Sequence, residues 1–311
     1  MDMQIIHKDG TSFTLNDYKI NVTDFVVEGI EMKESFSEVE GLHGRYYDGS
    51  TYARRKIHVP CFFIAKNNVD YAVQRDMLYK LVQSTEPFYI REMRKPNREN
   101  YKFKDTLASD YQAVDENGKP IYDQYVDEFV SAKRYLVKLS NVITPSQKQF
   151  KGNVELEFET VELPFSESIG TSLQLEKKKL DGLFSTDMKI NYVDKEKHTY
   201  SFNNVNSGRI FYYGSVPITQ HNMYSVVSII IGEKTKNFAW SLTDSNSMTI
   251  EGVQLNPGDL IVYNGTMITK NGMPIIEYVN LEFPKFKPGF NQFQINQRVK
   301  HIEFDMKFYD K

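Results

Sequence analysis

The residues with the chemistry to catalyse or ligate are plentiful in this chain, but their spacing assembles no familiar reaction centre. Six histidines, His7, His43, His58, His198, His221 and His301, lie far apart. No His-Glu-x-x-His pair sets two imidazoles on one helical face, so no metal site is expected. Cys61 is the single cysteine. It can form neither an intrachain disulfide nor a thiolate metal cluster, and its run Val59-Pro60-Cys61-Phe62-Phe63-Ile64 reads as a buried strand with a packing cysteine. No glycine-rich loop ends in Gly-Lys-Ser/Thr, and no Gly-x-Ser-x-Gly elbow is present. A carboxylate pair for glycoside hydrolysis would form only in the fold, and the sequence singles out none among 41 acidic residues. No catalytic residue and no cofactor are expected, and catalysis is the weakest of the functional readings.

Two clusters of side chains ask for an explanation. Glu155, Glu157 and Glu159 alternate with Val154, Leu156 and Phe158, the period of a strand with one wet face. Three carboxylates on one strand face imply solvent or a basic neighbour. Trp240, the only tryptophan, shares a strand face with Phe238 and Leu242. Those apolar neighbours favour the core, whereas an exposed indole would be a platform for a sugar ring. Asn264-Gly265-Thr266 matches a glycosylation acceptor in form and reads better as a tight turn.

The elements that position these residues are mostly strands. The 311 residues exceed one comfortable hydrophobic core and suit two. Aromatic residues make up 14%, rich in Tyr and Phe, which favours pleated sheet and protein contacts. A net charge of -3 spreads no field of one sign, so wholesale nucleic-acid binding is not expected. No signal segment opens the chain and no apolar run approaches bilayer length, so synthesis in a cytoplasm and no membrane-spanning segment are expected. One clear helix spans Asn68 to Val82, capped by Asn67 or Asn68, with Val69, Ala72, Val73, Leu78 and Leu81 as its apolar stripe. Gly41, Leu42 and His43 sit in a glycine-rich connection between strands. Residues 101–130, with Tyr111, Tyr122 and Tyr125, read as a long arm or hairpin excursion suited to assembly contacts. Leu163-Pro164-Phe165 marks the exit from a first domain over residues 1–168. Residues 173–180 read as a charged connector or exposed strand. Residues 169–311 form a second domain of many short strands, among them 200–202, 209–213, 290–295 and 301–309. Turns at Asn256-Pro257-Gly258-Asp259, Asn264-Gly265 and Asn271-Gly272 separate such strands in the manner of a jelly-roll sandwich.

Across nearly its full length the chain resembles the distal tail proteins of siphophages, especially those infecting staphylococci and related Gram-positive bacteria. In the first half the resemblance runs through Val39-Glu40-Gly41-Leu42-His43-Gly44, Pro87-Phe88-Tyr89-Ile90 and Tyr135-Leu136-Val137-Lys138-Leu139. Gly152-Asn153-Val154-Glu155-Leu156-Glu157-Phe158 completes that half. In the second half it is carried by Leu255-Asn256-Pro257-Gly258-Asp259-Leu260 and Phe283-Pro284-Lys285-Phe286-Lys287-Pro288-Gly289-Phe290-Asn291. The resemblance implies a mainly β chain. Its N-terminal part would be a β-sandwich or split barrel with one α-helix and a β-hairpin arm, and its C-terminal part a galectin-like jelly-roll β-sandwich. It implies a structural homo-oligomer, a hexameric ring in the virion at the distal end of the tail. That ring would join the tail tube protein to the tail-associated tip protein, with receptor-binding or baseplate proteins attached and DNA passing its lumen without specific binding. Gly41, Leu42, His43, Tyr111, Tyr122 and Tyr125 are the expected ring contacts, and Glu155, Glu157 and Glu159 the candidate lumen lining. The alternative is a carbohydrate-binding adhesion module acting on host cell-wall glycans, with Trp240 as its sugar platform.

Overall fold

The computed structural model describes residues 1–95, 129–178, 182–190, 194–243 and 245–311. The arm read at residues 101–130, with Tyr111, Tyr122 and Tyr125, lies outside the described residues but for 129 and 130. Period-two alternation organises the rest. In the strand Lys56–Ile64, Ile57, Val59, Cys61 and Phe63 are buried while alternate residues face out. Its antiparallel neighbour Lys151–Thr160 sets Val154 opposite Cys61, Leu156 opposite Val59 and Phe158 opposite Ile57. A slip of one residue would turn both sets to water, and each such side chain contributes about 1.5–3 kcal/mol when buried.

This pair belongs to a sheet ordered Ser12–Thr14, Asp2–Ile6, Phe88–Met93, Lys133–Leu139, Lys151–Thr160, Lys56–Ile64 and Ile20–Val22. The helix α1, Asn68–Val82, buries Tyr71, Leu78, Leu81 and Val82 in its core. The Asn67 side chain accepts from the Asp70 backbone N–H at 2.8 Å, and the Asp70 carboxylate accepts from the Lys66 N–H at 2.7 Å, so each end of the cap holds the other. Val69 and Val73, expected in the apolar stripe, are 76% and 56% exposed. The buried face is instead the Tyr71–Leu78–Val82 line, where Tyr71 meets Phe63 with ring centroids 5.0 Å apart.

The second sheet runs Ser247–Leu255, Thr235–Leu242, Gly289–Met306, Ser225–Ile231, Leu260–Tyr263, Ile268–Lys270 and Met273–Pro274. Ser201–Tyr212 pairs along Gly289–Met306 as well. These last two strands are longer than the sequence suggested. The sequence suggests two pieces for each, because polar residues interrupt the apolar pattern midway; in the structure a bulge near Val205 carries the pairing across that stretch. Residues 172–176 correct another expectation. They form a short helix, α2, rather than a charged connector or exposed strand. Gln174 accepts from the Thr171 backbone N–H at 2.9 Å, and Ser172 and Leu175 are buried. Buried side chains from Met3 to Phe158 form one apolar cluster, and those of the second sheet, with Ala132 and Phe165, form another. The chain is thus mainly β, in curled sheets of the sandwich and jelly-roll kind.

The strand Ser166–Ser168 stitches the two regions together. It pairs with Lys133–Leu139 on one side and with Tyr309–Asp310 on the other. A third, two-stranded sheet, Glu31–Ser37 with Tyr46–Arg54, stands apart from both.

Candidate functional sites

The two-stranded ribbon carries Gly41, Leu42 and His43 in its tip. Gly41 and Gly44 both take positive φ, +85° and +92°, which their lack of a Cβ permits. Both ribbon strands are exposed along almost their whole length. Leu42 and Tyr47 are 56% and 59% exposed, and Met32, Val39 and Tyr46 are similarly open. Arg45 lies 3.6 Å over the Phe36 ring, and Phe36 packs on Tyr47 at 5.5 Å. The ribbon therefore presents an aromatic surface held in order by its own contacts. Its base is fastened to the body. Arg54, held within the ribbon by Glu31 at 2.6 Å, donates to Glu159 of the body at 3.0 Å, and Tyr52 meets Phe165 edge-on at 5.5 Å.

The acidic strand is consequently less acidic in its setting than in its sequence. Glu159 is tied to Arg54 and stands across from Lys56 and Lys138. Glu155 lies 3.9 Å from His58 Nδ1, whose Nε2 meets Glu28 at 2.6 Å. Glu157 is half-buried. Trp240 is 1% exposed and packs against Phe304 at 6.2 Å. An indole this enclosed offers a sugar nothing to stack on, so Trp240 is the core residue its apolar neighbours suggest, and the alternative of a sugar platform there is set aside.

The junction around Ser166–Ser168 holds a dense polar network that sequence reasoning missed. Glu167 Oε1 accepts from Arg134 Nη2 at 2.7 Å and from Lys307 Nζ at 2.6 Å. The Arg134 guanidinium lies 3.8 Å over the Tyr89 ring. Lys133 meets Asp310 at 3.0 Å and Asp187 at 3.5 Å. Burial pulls Lys307 below the ordinary lysine range, against the opposing pull of Glu167, and burial pushes the Tyr89 hydroxyl up to about 12. Only the cross-sheet pairing brings residues 89, 134, 167 and 307 together, so nothing in their sequence neighbourhoods announced it.

A second missed feature is a cavity of about 380 Å³ beside the second sheet, lined among others by His221, Ser225, Asn246, Tyr263, Phe283 and Lys285. Among the described residues no His, Cys, Asp and Glu group has the geometry of a metal site, and no helix is long and apolar enough to cross a membrane.

Residues 8–160, the region of the first sheet, α1 and the ribbon, match the model of the family described as the phage tail protein RIFT-related domain. The fold of the whole chain is similar to that of the Dit protein of phage SPP1, described as a paradigm of the hub adsorption apparatus in phages infecting Gram-positive bacteria. That match has a TM-score of 0.59 at 12% identity and covers 98% of this chain and 99% of the other. Chains of the phage p2 baseplate in its activated conformation align with TM-scores of 0.38 with strontium and 0.37 with calcium. Both are 9% identical; the two alignments cover 99% of this chain and 98% and 97% of theirs. No curated protein matches the chain. The family match bears out the resemblance to phage tail proteins over the first half, and the full-length likeness to the Dit fold is in line with it.

Proposed function

We propose that the chain is the hub ring of a phage tail, six copies closing head to tail around a channel. Residues 1–168 form the ring domain, and residues 169–311 a peripheral jelly-roll domain. The tail tube protein sits on one side of the ring, and the tail-associated tip protein with receptor-binding or baseplate proteins on the other. DNA passes through the centre without specific contact. The ribbon Glu31–Ser37 with Tyr46–Arg54 carries this reading. A two-stranded ribbon is marginal alone, and contiguous exposed aromatics on a soluble chain mark a contact surface. A neighbouring copy supplies that contact, and cyclic closure leaves no free face within the ring. Gly41, Leu42 and His43 are the proposed contact tip, and Glu155, Glu157 and Glu159 the proposed lumen lining, where carboxylates that offset Arg54 and the neighbouring lysines leave the duplex no cationic cluster to hold. The role is structural, with no turnover.

Light scattering and negative-stain imaging of the purified protein test the proposal. Wild type forms six-membered rings, and Leu42→Asp with Tyr47→Asp leaves monomers with unchanged circular dichroism. Solitary particles of wild type at high concentration, together with normal tails in virions lacking the protein, overturn it.

A further inference from the structure

Building on the hub-ring reading, we infer that the ribbon tip of one copy docks on the far end of the Lys56–Ile64 strand of the next, where Ile64 and Phe150 stand exposed among four lysines. Sheet pairing builds this receiving surface. The Ala65 N–H donates to the Phe150 carbonyl at 2.8 Å, Lys151 stands opposite Ile64, and Lys148 stands opposite Lys151. On the strand's other side Ile20 pairs with Phe63, which sets Lys19 level with Ile64, and Lys66 follows two residues after Ile64. Ile64 is 64% exposed and Phe150 47%. Large apolar side chains left this open side by side mark a contact surface.

Charge complementarity selects a second copy as the occupant. The tip reads Glu38-Val39-Glu40-Gly41-Leu42, an acidic segment in which Val39 and Leu42 are themselves exposed. Arg45, close by in sequence, is drawn onto the Phe36 ring. Among the described residues neither glutamate has an ion-pair partner, and neither do Lys19, Lys66, Lys148 and Lys151. Lys151 instead lies 4.0 Å over the Phe62 ring. Asp17 and Asp70, the carboxylates nearest along the chain, accept from the Thr14 and Lys66 backbone N–H groups. Tip and patch thus each hold two apolar side chains flanked by charge of one sign, and the signs are opposite. In such a contact the apolar side chains carry most of the energy, while the charges fix register and reject wrong partners.

The two surfaces do not meet within one copy. The ribbon joins the body at Arg54, beside the start of the Lys56–Ile64 strand, and the patch lies about 26 Å away at its other end. Both ribbon strands are exposed, so the ribbon does not fold back along its own sheet. Complementary surfaces at opposite ends of one strand give a head-to-tail contact that can close into a ring. The same outer face carries Glu155, Glu157 and Glu159 nearer the ribbon base. Bare lysines at its far end would hold a passing duplex, and the neighbour's acidic tip covers them.

Charge reversal in two full-length variants tests the contact, read by light scattering and negative-stain imaging. Glu38→Lys with Glu40→Lys makes tip and patch both basic. Lys66→Glu with Lys148→Glu and Lys151→Glu makes both acidic. Each variant keeps the wild-type circular dichroism and assembles only at concentrations about tenfold or more above wild type. An equimolar mixture of the two recovers rings, because every junction in an alternating, even-membered ring then joins opposite charges. Rings formed by either variant alone at wild-type concentrations overturn the docking site and leave the ring reading standing. A mixture of folded variants that stays monomeric also overturns it. So does a lysine variant that keeps its rings but no longer retains duplex DNA held by wild type, which would give the patch to nucleic acid. Wild type that forms no ring in the same runs ends both readings.

Discussion

Replacing Glu167 with glutamine keeps the shape of the junction and removes the carboxylate to which both Arg134 and Lys307 are bonded. Arg134, Glu167 and Lys307 have side chains 18%, 13% and 11% exposed. Removing one member of a buried ion pair costs about 3–5 kcal/mol, because the other charge stays desolvated. Some water reaches these groups, so the expected loss is about 2–4 kcal/mol, or roughly 4–16 °C in melting temperature for a unit of this size. The pH dependence has a definite sign. Burial already holds Lys307 below the ordinary lysine value, and Glu167 opposes that shift. Without Glu167 the folded-state value falls further. Between that value and the ordinary lysine value the unfolded chain binds the extra proton, so stability rises with pH. The deficit of Glu167→Gln is therefore full near neutral pH and narrows as the solution becomes alkaline. Lys307→Met added to Glu167→Gln recovers part of the loss, since one unanswered cation disappears. Urea unfolding of the four corners of this double-mutant cycle is the assay. A Glu167→Gln variant within about 0.5 kcal/mol of wild type, or one whose deficit grows with pH, would refute the reasoning.

Three further outcomes follow from local packing. Burial lifts the Cys61 thiol to about 12, so native protein resists aromatic disulfide reagents at mildly alkaline pH, and the thiol reacts only on unfolding; fast reaction of folded protein counts against this. In Gly152→Ala the new Cβ meets the buried Phe63 ring at 2.4 Å, and a loss of about 1–3 kcal/mol is expected in urea melts. Asn67→Ala removes the cap of α1 and costs about 1 kcal/mol, read as a lower urea midpoint with an unchanged slope.

What could be read from the sequence was whatever a local pattern encodes. The alternation of Val154, Leu156 and Phe158, the Asn67 cap and the apolar company of Trp240 are statements about neighbours, and each maps onto burial or capping in the fold. The stripe assigned to Val69 and Val73 failed because the face a helix buries is chosen by the sheet beneath it. The long strands were broken in two because Asn203, Asn204, Asn206 and Ser207 look like a turn until a neighbouring strand pairs with them. The Glu167 network and the Ser225 cavity were invisible for a stronger reason. Their parts come from segments separated by up to more than a hundred residues, and only sheet order brings them within reach.

The 18-residue strand Gly289–Met306 pairs with Ser201–Tyr212, Ser225–Ile231 and Thr235–Leu242. All three partners leave the ribosome well before it does. Until it emerges, they have bare hydrogen-bonding edges and no common spine, while the first sheet has nearly all of its strands in hand. The second module therefore completes its fold late, through contacts of long sequence separation, which are slow to form and exposed to mispairing. A nascent chain paused before this strand is the stage most in need of chaperone protection.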